Sequence, residues 1–196
     1  DRKPLIFGKA RRLDENLLQY LDIDTRSVGE ILSPPDSQFC WVSSSEYVDE
    51  WGIPRAFTGK YWDITSNPLK GADLNTLEQY RWPNPDSIPD EQIENVAKEA
   101  RRLHEETDFV ICAEHPVYGI FELACWLCGF ESLLIKLALE PDFVHRLFEI
   151  ILNYQKRVIK RYYEKVGPYV HYTSSGDDFA TQSSMFMSKR MFRAFI

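Results

Sequence analysis

The chain has 196 residues, of which 44% are hydrophobic and 14% aromatic, and it carries a net charge of −7. That is enough apolar material for a buried core and argues against a disordered chain, while the acidic balance argues against wrapping nucleic acid or lying on an anionic membrane. No apolar run nears the roughly 20 residues of a membrane helix, the N-terminus lacks a signal-peptide pattern, and four unevenly spaced cysteines make no disulfide scaffold, so a cytoplasmic location is expected.

Lys3 to Phe7 reads as a short strand. Leu13, Leu17, Leu18 and Leu21 then recur at helical spacing, with Asp14 placed to cap, and Ile23 to Val28 reads as a second strand. Residues 39–66 are aromatic-rich and punctuated by turn residues, which predicts a β-hairpin excursion with its turn at Gly59. Residues 77–90 hold Pro83, Pro85 and Pro89 and predict an extended surface connector anchored by Tyr80 and Trp82. Ile93, Val96, Ala97, Ala100 and Leu103 form one helical face, with acids leading and bases following as the helix dipole favours.

Phe109 to Ala113 is a continuous apolar run, too short for an independent helix and suited to a strand buried on both faces. Ile120 to Leu139 is predicted helical with a break near Gly129, and Pro141 opens a long helix that Gly167-Pro168 stops. Tyr169 to Thr173 is the next strand, and Ser188 caps a final helix. The order helix, strand, helices, strand, helix predicts an α/β fold with a parallel sheet. A doubly wound sheet and a barrel both fit, and no Gly-rich phosphate fingerprint follows a strand. Ile196 falls inside an apolar helix, and about four strands fall short of the eight of a closed barrel, so the chain is expected to be one part of a larger barrel or to be completed by a partner half.

Ligands in parallel α/β folds gather where strands end. Two segments meet that rule: Glu114-His115-Pro116-Val117-Tyr118 and Ser174-Ser175-Gly176-Asp177-Asp178. Asp177 and Asp178 could serve as base or ligand-holding carboxylates, or simply cap a turn. Glu114 and His115 could form an acid–base pair, or a loop histidine bonded to backbone; one His and one Glu do not make a metal site. Cys125 and Cys128 have CxxC spacing, but they sit mid-helix without a second pair and read as buried core thiols. Arg11, Arg12 and Arg26, near strand ends, could bind carboxylate or phosphate or lie solvated on the surface. Tyr61, Trp51 and Trp62 read as packing.

These segments resemble the uroporphyrinogen decarboxylase (URO-D) family. Asp1-Arg2-Lys3-Pro4 looks like its "DRxP" start, Asp22-Ile23-Asp24-Thr25-Arg26 its second strand, and Asp49-Glu50-Trp51-Gly52-Ile53 its "DEWG" hairpin. Asn67-Pro68-Leu69 and Tyr80-Arg81-Trp82-Pro83-Asn84-Pro85 resemble the connector that follows. Gly119-Ile120-Phe121-Glu122 through Gly129-Phe130-Glu131 resembles a helix with a "RGFE"-like end, and Gly176 to Gln182 a "DDxGTQ" loop. The resemblance implies a (β/α)8 TIM barrel of which residues 1–196 supply the N-terminal part, about half, with a hairpin insertion.

The family includes decarboxylases of haem synthesis and corrinoid-linked, zinc-binding methyltransferases. The decarboxylase "RQAGR" signature is absent, with Gly8-Lys9-Ala10-Arg11-Arg12 nearby; "GAPxT" reads His115 to Gly119; and the catalytic tyrosine falls near Trp126. The "DEWG" hairpin points to the methyltransferase-like members. On that resemblance the expected catalytic residues are Asp177, Asp178 and His115. Asp24, Arg26, Glu114, Tyr118, Trp126 and Gln182 are expected to bind a small-molecule substrate. No metal ligand is expected in this fragment; zinc and a corrinoid would belong to the full-length protein. A corrinoid protein and a homodimer are the partners considered, with no nucleic acid or membrane. The alternatives are decarboxylation of a tetrapyrrole, in which Asp24 or Asp177 would steady pyrrole NH groups, and a non-catalytic ligand-binding barrel.

Overall fold

The computed structural model describes residues 13–196; the expected strand at Lys3–Phe7, the "DRxP" start, Arg11 and Arg12 lie outside them. Helix α1 (Glu15–Tyr20) starts where Asp14 accepts a hydrogen bond from the Asn16 amide. Its leucines do not form a buried face: Leu13, Leu17 and Leu21 are exposed. Strand β1 (Thr25–Val28) follows. The predicted hairpin is a larger element, a four-stranded antiparallel meander of β2 (Cys40–Ser43), β3 (Glu46–Val48), β4 (Pro54–Phe57) and β5 (Trp62–Ile64) in sequential order. Gly59, at φ +97°, makes the β4–β5 turn, and Trp62 packs edge to face against Trp41 and Tyr47, which are tilted against each other on the sheet.

The connector is less extended than proline content suggests. It includes the short helix α2 (Leu74–Gln79), capped by Asp73, and a single 3₁₀ turn at Pro85–Ser87. Proline fits the first position of such turns because its missing N–H is not needed there. Tyr80 and Trp82 do anchor it, donating to the carbonyls of Trp51 and Leu77.

Helix α3 (Asp90–Glu106) buries Ile93, Val96, Ala100 and Leu103, as its spacing dictates. Strand β6 (Val110–Glu114) leads to α4 (Ile120–Cys128) and α5 (Phe130–Leu139), which part at Gly129. There φ is +85°, and a Cβ would lie 3.1 Å from the Asn67 side-chain oxygen. The 26-residue α6 (Pro141–Val166) is tied to α3 and the connector by Arg161 with Asp90 and Lys165 with Glu94. A 3₁₀ turn at Gly167–Tyr169 delays the last strand, so β7 is Tyr172–Ser174 rather than starting at Tyr169. Helix α7 (Lys189–Phe195) is capped by Ser188.

Strands β1, β6 and β7 form one parallel sheet in that order. Val28, Ile111 and Ala113 share the face that packs on the helices and are fully buried. Residues of the opposite parity, among them Ser27, Val110, Tyr172 and Ser174, are exposed; Cys112 is buried. The centre of β6 is buried on both faces at Ile111, Cys112 and Ala113, as the apolar run predicted, whereas among the described residues its neighbours β1 and β7 expose Ser27, Tyr172 and Ser174 on the face away from α3 and α6. The described residues form a mixed α/β fold with two sheets and no closed barrel. No helix among them is long and apolar enough to cross a membrane.

Candidate functional site at the C-terminal rim

Parallel pairing brings the ends of β6 and β7 to one rim, and the ladder runs past β6: the His115 amide donates to the Ser174 carbonyl at 3.2 Å. The two predicted segments are therefore neighbours. Their side chains part company, because alternation turns successive residues to opposite faces. His115 faces α6, where its Nδ1 lies 3.4 Å from the Tyr163 hydroxyl. Burial holds its imidazole below the ordinary histidine value. Tyr163 in turn bonds Thr173, whose hydroxyl donates to the Ala113 carbonyl. Glu114 has the opposite parity, and its carbonyl accepts from the Tyr162 hydroxyl.

Asp177 does something the local sequence could not show. Its two carboxylate oxygens accept from the amides of Phe121 and Glu122 at 2.9 and 2.8 Å. It therefore caps α4 from a loop more than fifty residues away, at the end where orphan amides and the helix dipole favour an anion. Partial burial raises its pKa, and the backbone hydrogen bonds work against that rise. His115 and Asp177 thus share a rim, but one is turned to α6 and the other to α4.

Two residues the sequence reading did not single out belong to this place. Glu122, in the first turn of α4, is half-buried, and its pKa is raised by burial and by the nearby carboxylates of Asp178 and Asp177. Arg55, on β4, is buried and paired with Asp49 at 3.0 Å, with its guanidinium 4.9 Å above the Trp126 ring. Glu122 and Trp126 are four residues apart on α4 and so lie on one helix face, which turns the α4 face toward the meander. The i,i+4 pair was readable; that a separate sheet docks on it was not.

Tyr118 lies in the same layer, its ring 5.0 Å from Trp126 and its carbonyl accepting from Gln155; burial drives its phenol pKa well up. Asp178 is exposed. Gln182 is exposed in the turn closed by the Ala180–Met185 bridge. Asp24 and Arg26 are elsewhere. Asp24 precedes β1, its carbonyl accepting from Val110, at the opposite end of the sheet from the rim. Arg26 is buried, paired with Glu15 and lying 3.6 Å over the Phe109 ring.

No group of three or more His, Cys, Asp or Glu side chains that could hold a metal occurs among the described residues. Burial pushes the Cys125 and Cys128 thiols up to about 12. No family model, curated protein or solved structure compared with the chain gives a match.

Proposed function

We propose that the chain is the N-terminal part of a URO-D-like (β/α)8 barrel enzyme whose rim binds a small methylated substrate for methyl transfer, as in the corrinoid-linked members of that family. The barrel reading is supported by parallel strands in sequential order, a helix-covered outer face, and an opposite face with the exposed residues Ser27, Val110, Tyr172 and Ser174. The observation that carries the choice of chemistry is charge. Asp177, Asp178 and Glu122 gather at the rim, close enough that the first two raise the pKa of the third. A tetrapyrrole bearing several carboxylates would meet repulsion there, whereas a neutral or cationic methylated compound would not.

On this reading Asp178 and Glu122 face the substrate, Asp177 fixes the loop that carries Asp178, and Arg55 limits the rise in the pKa of Glu122. Zinc and a corrinoid, on this reading, belong to the full-length protein and take no part in these roles. The test is a pair of calorimetric titrations, one with tetramethylammonium and one with uroporphyrin. Binding of the first that weakens in Asp178→Asn, with no binding of the second, is the expected result. Uroporphyrin binding without tetramethylammonium binding would overturn the reading in favour of the decarboxylase alternative.

A further inference from the structure

The parallel ladder between β6 and β7 begins with a side chain. The His171 amide donates to the Ile111 carbonyl at 2.9 Å, and the Ile111 amide donates back to His171 Nδ1, also at 2.9 Å. The imidazole takes the acceptor position that a carbonyl would hold in a longer strand. A ring nitrogen accepts only through its lone pair, so this bond requires a neutral imidazole with its proton on Nε2. Protonating Nδ1 would set two donors face to face.

Titratable and charged groups from three elements lie around this ring. From α3, His104 places its ring centroid 5.9 Å from that of His171, and Arg101, paired with Glu105, lies over Tyr169. Tyr169, from the 3₁₀ turn, contacts His104. From β6, Cys112 lies beside Tyr172, next to His171 in the chain, and raises the pKa of its phenol. β7 has three residues, all exposed, and the loop that follows carries Asp177 to the amides of α4.

We propose that His171 is a pH-sensitive latch: neutral, it fastens β7 to β6, and protonated, it releases β7 and with it the rim loop that carries Asp177 and Asp178. The inference does not depend on the reaction proposed above. Histidine is the side chain that changes charge between about pH 5 and 8, so loosening occurs on acidification.

Amide protection factors test it, since they remove the intrinsic pH dependence of exchange. Protection at Ile111 and at Tyr172 to Ser174 should fall about three- to tenfold between about pH 8 and about pH 5, the scale of one lost hydrogen bond. Protection in the α6 core should not change. His171→Gln should show low protection at both pH values. His115→Gln, which removes the rim histidine, should keep the fall. A wild-type fall that is absent, or one that persists in His171→Gln, would overturn the latch. If that variant does not fold, imidazole nitrogen spectra of the wild-type protein decide: a bare Nδ1 at about pH 8 is expected, and a protonated one overturns the proposal.

Discussion

The Asp177 carboxylate fills the space that a side chain at Gly119 would need: a Cβ built on Gly119 would lie 2.4 Å from Asp177 Cγ. The glycine serves here by lacking a side chain, not by its backbone conformation. Gly119→Ala should push Asp177 off the α4 amides and destabilise the protein by about 1–2 kcal/mol, as loss of a helix cap does. Asp177→Ala should cost a similar amount, and the double variant little more than either alone, since both remove one contact. Urea denaturation of the three proteins measures this; additive losses would mean that the two residues act separately.

Glu122 gives a pH signature. Its pKa is raised above the ordinary 4.5, first by burial and then by Asp178 and Asp177. A carboxyl raised in the folded state contributes stability that is present below its unfolded value and is lost as pH rises through its folded value. At neutral pH the ionised group therefore weighs against folding. Glu122→Gln should stabilise at pH 7 by less than about 1 kcal/mol, because the group is partly solvated. That corresponds to a gain of about 1–3 °C in Tm. The gain should vanish below about pH 4, and thermal melts at the two pH values check it.

The turn joining β3 to β4 stands on one buried carboxylate. Asp49 accepts from the amides of Trp51 and Ile53 and from Arg55 Nε, with side chains 7% and 3% exposed. Asp49→Ala removes the carboxylate that holds Arg55 Nε and both turn amides and should cost about 3–5 kcal/mol. Asp49→Asn keeps one oxygen for the turn amides and should cost less. Chemical denaturation ranks the two; an equal and small loss would show that the pair contributes little.

Thiol chemistry should divide the four cysteines. Cys40 is exposed, whereas Cys112, Cys125 and Cys128 are buried. Cys125 and Cys128 are held as thiols by pKa values pushed up to about 12. Reaction with a disulfide reagent at neutral pH should consume one thiol quickly and the others only as the protein opens. Fast modification of the CxxC pair would contradict its burial.

Periodicity and punctuation by themselves determined where most elements lie. The α3 face, the Gly129 break, the Pro141 start, the Ser188 cap and the parallel alternation are local consequences of side-chain spacing and backbone freedom, so a single chain displays them. Strand ends likewise announced the segments at Glu114 and Ser174. Tertiary structure decided what those residues do. Arg26 had the sequence of a ligand-binding arginine and is instead held by Glu15 and Phe109 near the start of β1. Asp177, legible as an acid in a loop, became the cap of a helix begun at Ile120, and Glu122 became a perturbed carboxyl only because that loop and the meander converge on it. Hydrogen bonds and charge couplings depend on distance in space, and spacing along the chain carries that distance only within an element, not between elements.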